Sequence, residues 1–346
     1  MHASRQWRAG IIGLGMAAPP HVESLRDLRD RVTVAGTYSP SVARRQAFHE
    51  RYGLPVVESA DALFDDPSID YLIILTPPAS HLELVRRAAK RGKPVLLEKP
   101  LEVTLARSKE LVAVAAAIPL IVCFQRRFRR SFIETARLVA DGALGEIVSA
   151  TLQLRNWRPQ SYYDEPGRGT LARDGGGVLL TQAIHLIDQF IALVGLPSAV
   201  TAFTGTSAIH RMETEDLVHA ALRLRNGGIG ALSATTAAFP GLPDRIELFG
   251  TKGSAVLEGE TARIRLMDGR TIDIEDDSEA GGTSADPMAF SHHNHRRLHE
   301  DILTALDVSH PPTITAADAL NAHLLIDALL RSSDLGETVL VEQDHR

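Results

Sequence analysis

The sequence has little cysteine, few aromatic residues and no long apolar run. Cys123 is the only cysteine among 346 residues, which excludes an internal disulfide and leads us to expect a cytoplasmic location. No apolar run reaches the roughly 18 residues of a membrane-spanning helix. The first residues also lack the apolar core of a signal peptide. We therefore expect neither a membrane span nor a cleaved leader.

The charge balance is slightly acidic. The 43 Asp and Glu residues against 37 Lys and Arg give a formal net charge of -6. An acidic chain disfavours nucleic acid or an anionic membrane as its main partner. The length and a hydrophobic content of 44% suit two domains, each with a core of its own.

Short apolar runs alternate with helical patterns in the first part of the chain. Strands are predicted at residues 9–12, 32–37, 71–75, 94–98 and 120–124, with helices between them. Such repeated β-α units with short connections predict a doubly wound parallel sheet. We assign this sheet to a domain of residues 1–125, with Cys123 packed in its core.

A glycine-rich turn follows the first predicted strand directly. Residues 13–18 read Gly-Leu-Gly-Met-Ala-Ala, the Gly-x-Gly-x-x-Ala pattern of a dinucleotide-binding turn. Gly13 permits the tight turn, and Gly15 lets a pyrophosphate approach the backbone. The amides at the start of the next helix would bind the phosphates.

The second predicted strand ends without the acidic residue that usually binds the ribose 2′-hydroxyl of NAD. This chain has Ser39 there, followed by Ser41 and Arg44. These groups can bind a 2′-phosphate, which favours NADP over NAD. The alternative is that Arg44 and Arg45 only cover the exposed face of the next helix, so both cofactors stay open.

The strand predicted at residues 94–98 runs into Glu98, Lys99 and Pro100. Pro100 has no N–H and ends the strand, so Lys99 is placed at the carboxyl edge of the sheet, where open α/β folds bind ligands. Lys99 can meet a substrate hydroxyl there, and Glu98 can orient the lysine. The alternative is an ordinary surface lysine, which the surrounding motifs disfavour.

A second informative stretch begins with three glycines at residues 175–177 and continues as a helical pattern. Thr181, His185 and Asp188 are spaced i, i+4 and i+7, which predicts one shared helix face. A lone helical histidine is usually structural. A histidine beside a hydroxyl and a carboxylate is a credible acid or base.

Aromatic residues and arginines stand together near residues 157–168. Trp157, Arg158, Tyr163 and Arg168 suit a pocket for a polar ring such as a sugar, although packing between domains is the alternative. Arg127 follows the last strand of the first domain and is a candidate contact for cofactor or substrate.

The rest of the chain predicts a largely antiparallel sheet, a polar loop at residues 275–287 and a closing helix at residues 316–331. Histidines at positions 292, 293, 295 and 299 suggest zinc. No cysteine or carboxylate cluster stands beside them to complete a ligand set, so we expect no metal.

Together these motifs resemble the Gfo/Idh/MocA family, the glucose–fructose oxidoreductase and inositol dehydrogenase group. The resemblance covers nearly the whole chain and rests on the turn at residues 13–18, Thr76-Pro77-Pro78 with His81, Glu98-Lys99-Pro100, Gln125 with Arg127-Phe128, residues 175–177 with His185 and Asp188, and Gly250-Thr251-Lys252-Gly253.

The resemblance implies an α/β fold in two domains. An N-terminal Rossmann domain, residues 1–125, is followed by a C-terminal α/β domain, residues 126–346, with a large open mixed, mostly antiparallel sheet. Family members commonly form homodimers or homotetramers through that sheet. The resemblance also implies reversible hydride transfer between a nicotinamide and a carbinol carbon of a sugar, polyol or sugar derivative.

The resemblance further assigns roles to single residues. Lys99 matches the lysine that contacts the reacting hydroxyl, and His185 matches the histidine of proton transfer. The chain departs at Thr181, a catalytic position where many members carry Asp. Threonine cannot act as a base, so the proton relay rests on Lys99 and His185. Ser39 departs from the acidic ribose position.

These arguments predict a set of site residues and leave alternative functions open. The predicted cofactor-binding residues are Gly13, Gly15, Met16, Ala17, Ser39, Arg44, Thr76, Pro77, His81, Glu98, Lys99 and Gln125. The predicted substrate-binding residues are Arg127, Trp157, Arg158, Tyr163 and Asp188. The alternatives are a cofactor-sensing regulator without turnover and an enzyme that cleaves a glycosidic bond by transient oxidation.

Overall fold

The structure is a computed structural model that describes residues 5–275, 291–308 and 310–342. The chain forms two compact units, Met1–Gln125 with Ser291–Ala319 and Arg126–Phe290 with Leu320–Arg346. The domain limits 1–125 and 126–346 stay a prediction, to which the structure adds that residues 291–319 pack with the first unit. Apart from Glu275, the polar loop predicted at residues 275–287 lies outside the described residues.

Helices and strands alternate in the first part of the chain, and strands dominate the later part. The helices are α1 (Ala18–Asp27), α2 (Val42–Tyr52), α3 (Ala60–Asp65), α4 (His81–Lys90), α5 (Leu105–Ala115), α6 (Arg130–Ala140), α7 (Gln160–Tyr163), α8 (Leu171–Asp174), α9 (Ile184–Val194), α10 (His293–Val308) and α11 (Ala316–Leu335). The strands are β1 (Trp7–Ile12), β2 (Val32–Tyr38), β3 (Tyr71–Ile74), β4 (Val95–Leu97), β5 (Leu120–Val122), β6 (Ile147–Trp157), β7 (Ala199–Gly205), β8 (Leu217–Arg223), β9 (Ile229–Thr235), β10 (Ala237–Gly250), β11 (Gly253–Glu258), β12 (Thr261–Leu266), β13 (Thr271–Ile274) and β14 (Val339–Leu340).

A five-stranded parallel sheet forms the centre of the first unit, in the order β2-β1-β3-β4-β5. Every residue of β3, β4 and β5 is buried, as expected for strands covered on both faces. From β1 the chain adds β2 on one side and then β3 on the other, so the strand order reverses between β1 and β3. Open α/β sheets bind ligands beside such a reversal, at the carboxyl ends of the strands.

Hydroxyl side chains start three helices of this unit. Ser41, Ser59 and Thr104 each accept a hydrogen bond of 3.3 Å from a backbone N–H in the first turn of α2, α3 and α5. Such caps contribute about 0.5–2 kcal/mol each. Helix α1 begins after Ala17 without a side-chain cap, and Pro19 and Pro20 in its first turn have no N–H that a cap would have to satisfy.

A nine-stranded sheet forms the second unit, in the order β13-β12-β11-β10-β6-β9-β8-β7-β14. Only the β6–β9 pair is parallel among these neighbours. Alternate residues of β6 are buried, including Ala150, Leu152 and Leu154, and α6 and α9 pack against this sheet. The predicted fold class, a parallel Rossmann sheet plus a mostly antiparallel mixed sheet, is confirmed.

The helical stretch Leu171–Val194 is long and apolar enough to cross a membrane by length and composition, with a mean hydropathy of 1.6 in its most apolar window. Of that window, 78% is buried inside the protein, as in a core helix. One such helix is weak support for a membrane span.

Candidate functional site

The glycine turn of the first unit has the geometry that a dinucleotide needs. Gly13 has a φ of +104°, and a Cβ there would lie 2.6 Å from the carbonyl carbon of Leu75, so only glycine fits. A Cβ at Gly15 would meet no atom within 4 Å. Packing within the chain therefore leaves Gly15 open, and its backbone is exposed. Met16 is exposed and Ala17 half-buried beside it.

Hydrogen bonds between neighbouring strands bring the predicted cofactor residues to one edge of the sheet. The N–H of Gly13 donates to the Tyr38 carbonyl at 2.9 Å, and the N–H of Glu98 donates to the Ile74 carbonyl at 2.9 Å. Half-buried Thr76 and exposed Pro77 follow β3, and half-buried Glu98 and Lys99 follow β4. Half-buried Gln125 lies just beyond β5, with its Oε1 3.8 Å from the sulfur of Cys123.

His81 supports this edge from within the first unit. Its ring is buried, with Nδ1 3.0 Å from the Pro100 carbonyl and Nε2 2.8 Å from the Thr76 carbonyl. Burial lowers the pKa of His81, against the effect of these carbonyls. His81 thus ties the loop after β3 to the loop after β4. Its observed role is to position these loops, which differs from the predicted direct contact with the cofactor.

Glu98 is an ionised carboxylate at the end of β4. Its Oε2 accepts the Lys99 backbone N–H at 2.9 Å, and its Oε1 lies 3.4 Å from Nε2 of His21. Burial raises the pKa of Glu98, but the hydrogen bond with His21 and the nearby positive charges outweigh that effect and lower it to about 2. The carboxylate contacts His21, a residue that the sequence argument missed.

The end of β2 offers one exposed arginine. Ser39 is buried, and its carbonyl accepts from Arg45 at 2.7 Å, while Arg45 also pairs with Glu58 at 3.0 Å. Ser41 caps α2 through the N–H of Arg44, whose side chain is exposed. The buried Ser39 differs from the expected phosphate contact. The exposed guanidinium at this point is therefore that of Arg44.

In the second unit, a buried carboxylate holds the glycine run that precedes α9. Glu215 accepts from the N–H groups of Gly177 at 3.0 Å and Leu179 at 3.1 Å, and burial raises its pKa. A Cβ at Gly177 would lie 1.9 Å from the Glu215 carbonyl oxygen, so this approach requires glycine. The glycine run indicated that another group comes close to this backbone. The sequence did not identify that group as Glu215, because Glu215 lies far along the chain.

Thr181 and His185 are separated by a change in helix type. Residues Leu179–Ala183 form a π-helical turn, and α9 begins at Ile184. A π turn inserts an extra residue, so the shared face predicted from regular α-helical spacing does not apply across it. The hydroxyl of Thr181 donates to the Gly177 carbonyl at 2.6 Å. His185 lies in the first turn of α9 and is 8% exposed.

Arg127 and Asp188, both predicted to bind substrate, bind each other. Arg127 donates from Nε to Oδ2 at 2.7 Å and from Nη2 to Oδ1 at 2.6 Å. The side chains are 9% and 0% exposed. This buried bidentate pair joins the segment before α6 to α9. The substrate-binding role of these two residues stays a prediction, to which the structure adds that they contact each other.

The predicted pocket residues after β6 are mostly packed inside the second unit. Arg158 is buried and donates to the Trp157 carbonyl at 2.9 Å. The Tyr163 hydroxyl lies 2.7 Å from Oγ1 of Thr236, and burial raises the pKa of Tyr163 to about 12. Half-buried Trp157 meets Phe239 edge to face at 5.4 Å. Arg158 and Tyr163 are thus internal supports, and Trp157 keeps a partly open ring.

A buried pair that the sequence did not indicate supports this segment. His210 Nδ1 lies 2.6 Å from Asp216 Oδ2, and His210 Nε2 lies 2.8 Å from the Arg158 carbonyl. Asp216 also accepts from the backbone and hydroxyl of Ser207. His210 and Asp216 lie in the loop between β7 and β8. Because a loop has no helical or strand periodicity, the sequence pattern did not reveal that they pair.

Comparison with known proteins identifies the family. The profile described as "Oxidoreductase family, NAD-binding Rossmann fold" matches residues 7–124, and that of the GFO/IDH/MocA C-terminal domain matches residues 132–256. The uncharacterized oxidoreductase YdgJ of Escherichia coli (strain K12) is 30% identical over 326 residues, which cover 91% of this chain and 88% of that protein. The chain belongs to the GFO/IDH/MocA family.

Relatives with assigned activities and solved structures agree with this membership. Myo-inositol 2-dehydrogenase of Thermotoga maritima is 26% identical over 350 residues, covering 97% of this chain and 99% of that enzyme. The WlbA dehydrogenase from Bordetella pertussis, solved with NADH and UDP-GlcNAcA, superposes with a TM-score of 0.83 at 25% identity, over 98% of this chain and 100% of that one. This GFO/IDH/MocA member is an NAD(P)-dependent oxidoreductase.

Proposed function

We propose that this enzyme transfers a hydride between nicotinamide C4 and a carbinol carbon of a sugar, polyol or sugar derivative. The observation that carries the proposal is the position of Lys99, at the same sheet edge as the open turn at Gly15. A lysine at that edge lies where a ligand beside the cofactor would react. The inositol dehydrogenase relative and the sugar nucleotide bound to WlbA support the substrate class.

In the proposed chemistry, the proton and the hydride of one alcohol go to different acceptors. The bound nicotinamide supplies the hydride acceptor in oxidation. His185 accepts the hydroxyl proton, and the Lys99 ammonium stabilises the negative charge that develops on oxygen. In reduction the same groups act in reverse, with His185 returning the proton. Thr181 supports the helix start through Gly177 and takes no proton.

Removal of either reactive group tests this proposal. We expect Lys99→Ala and His185→Ala each to lower kcat/KM by about 10²- to 10⁴-fold, the usual contribution of a positioned acid or base. Cofactor affinity, measured by titration, should stay close to that of the wild type. Matched controls are Lys90→Ala and His293→Ala, because both side chains are exposed and lie outside the proposed site.

The substrate assay must distinguish the alternatives. A thermal-shift screen with NAD⁺, NADP⁺ and a sugar library ranks ligands without assuming a reaction, since a ligand stabilises the folded state by RT ln(1 + [L]/Kd). Full activity in Lys99→Ala or His185→Ala contradicts the roles assigned here. Cofactor binding with no turnover on any sugar indicates a regulator. Product formation by mass spectrometry without net NADH indicates redox-assisted glycoside cleavage.

We further propose that the enzyme prefers NADP to NAD. No carboxylate follows β2 in the sequence, and Arg44 is exposed at the start of α2 while Arg45 is engaged by Ser39 and Glu58. The expected contact is between the Arg44 guanidinium and the 2′-phosphate. NAD is the alternative cofactor, because the WlbA dehydrogenase was solved with NADH.

Arg44→Ala tests the choice of cofactor. A hydrogen bond to a charged group contributes about 1.5–3 kcal/mol, so the variant should bind NADP⁺ about tenfold or more weakly. Its affinity for NAD⁺ should not change. Arg51→Ala, at the other end of α2, is the control. Equal effects on both cofactors, or no effect on either, contradict the proposal.

A further inference from the structure

Four side chains of metal-ligand type converge inside the first unit. They are His21 of α1, Glu98 after β4, Cys123 after β5 and His295 of α10, and their ligand atoms all lie within 4.8 Å of one another. His21 Nε2 is 3.4 Å from Glu98 Oε1 and 3.9 Å from Cys123 Sγ. The rings of His21 and His295 meet edge to face at 5.0 Å.

We propose that these four side chains form a binding site for one divalent transition-metal ion, with Zn²⁺ as the first candidate. Tetrahedral zinc with nitrogen and oxygen ligands at about 2.0–2.2 Å and sulfur at about 2.3 Å sets its ligand atoms roughly 3.3–3.6 Å apart. The separation of 3.4 Å between His21 and Glu98 already matches, and that of 3.9 Å to Cys123 is slightly long. The other ligand atoms lie within 4.8 Å of one another, so metal binding requires them to move closer together.

The donor set suits a soft, divalent ion in a buried place. A thiolate and a carboxylate together neutralise the ion's two charges, and two imidazoles add neutral ligands. A neutral complex avoids most of the free energy of burying a charge, which matters because His21 and Cys123 are 0% exposed and His295 is 2% exposed. Sulfur and imidazole ligands select zinc-like ions over magnesium and calcium.

A third histidine, His299, lies where a metal-bound imidazole needs support. Nε2 of His299 is 3.0 Å from Nδ1 of His21. With the metal on Nε2, His21 carries its proton on Nδ1 and donates it to His299, the usual arrangement behind a metal-ligating histidine. Cys123 binds as the thiolate, and its proton passes to solvent when the metal enters.

The expected role of this site is structural. Four protein ligands fill a tetrahedral zinc and leave no open position for a substrate. The ion would fasten α10 to the edge of the parallel sheet within the first unit. The inference does not depend on hydride transfer. It departs from the expectation of no metal, because the fold brings a cysteine and a carboxylate beside His295 that the local sequence does not show.

Cobalt(II) added to the untagged, chelator-treated full-length protein tests the site directly. Cobalt takes zinc sites, and a thiolate ligand gives a charge-transfer band in the near ultraviolet beside visible d–d bands. Because Cys123 is the only cysteine, such a band can come only from this position. We expect saturation at one cobalt per chain, displacement by Zn²⁺ and a higher melting temperature with either metal.

Matched histidine variants on α10 give the second readout. His295→Gln should weaken cobalt binding by at least about 10- to 100-fold and abolish the thermal shift. His293→Gln, with an exposed side chain on the same helix, should bind as the wild type does. Cys123→Ser should lose the charge-transfer band. Absence of that band in the wild type, or equal binding by the two histidine variants, overturns the proposal and leaves a hydrogen-bonded network without metal.

Discussion

At the scale of single residues, the two glycines of the dinucleotide turn are required for different reasons. Gly13 is needed by the fold, because its φ is +104° and its Cβ would meet the backbone of Leu75 at 2.6 Å. Gly15 is not needed by the fold, because its Cβ would meet no atom within 4 Å. Packing within the chain therefore does not require glycine at position 15, and we expect a bound dinucleotide to be what requires it.

This difference predicts opposite effects of one methyl group. Gly15→Ala should keep the wild-type melting temperature and weaken binding of the dinucleotide by at least tenfold, since the methyl group occupies the phosphate's approach. Gly13→Ala should destabilise the fold itself by about 1–3 kcal/mol through strain and overpacking. Cofactor titration and chemical denaturation of the two variants measure both effects. Unchanged affinity in Gly15→Ala would contradict the assigned site.

At the scale of elements, the Arg127–Asp188 pair joins the segment before α6 to α9, the helix that carries His185. Removal of one partner takes the bidentate contact away from the other buried charge. We expect Asp188→Asn to lower the free energy of unfolding by about 3–5 kcal/mol. The double variant Arg127→Met/Asp188→Leu should recover much of that loss, because it removes both charges together.

Kinetics separate this structural role from the substrate contact first predicted. If the pair only holds α9, the double variant should fold and retain a KM near that of the wild type. A KM raised by tenfold or more in a stably folded double variant would restore the predicted role in substrate binding. Denaturation in urea and steady-state assays on the same preparations give both readings.

The elements that depend on local sequence pattern were predicted from the sequence. Alternating apolar runs gave the parallel sheet, and Pro100 correctly ended β4 near Glu98. Contacts between distant residues were not accessible from pattern alone. Glu215 under the glycine run and Asp188 beside Arg127 depend on how the chain folds back, and so does Cys123 beside His295. The π turn at Leu179–Ala183 was missed because its residues fit a regular helix equally well.

At the scale of the whole molecule, one face of the nine-stranded sheet carries exposed apolar side chains. Ile229 of β9 and Phe249 of β10 both pair with Ser149 of β6, so they share the face opposite the buried residues of β6. Ile229 is 60% and Phe249 42% exposed, and Phe203 of β7, with its side chain on the same face, is 76% exposed. Apolar side chains on an open sheet face are typical of an interface.

We therefore expect this face to join two copies of the chain in a homodimer or homotetramer. Ala231 lies on it in β9, next to the middle strand β6, and it is exposed and paired with Thr151 and Ala221. In a single copy, Ala231→Arg extends into solvent and should leave the melting temperature unchanged. Between two packed sheets the arginine would be buried without a partner, which weakens assembly by roughly 3–5 kcal/mol, or on the order of 10²- to 10⁴-fold.

Light scattering across a range of concentrations decides this point. The wild type should show the mass of two or four chains, and Ala231→Arg should shift towards a single chain. Met267→Arg is the matched control, because Met267 is 77% exposed directly after β12, away from the centre of the sheet. If the wild type stays monomeric at every concentration, or if both variants keep the wild-type mass, the sheet face is not the interface, and its exposed apolar side chains need another explanation.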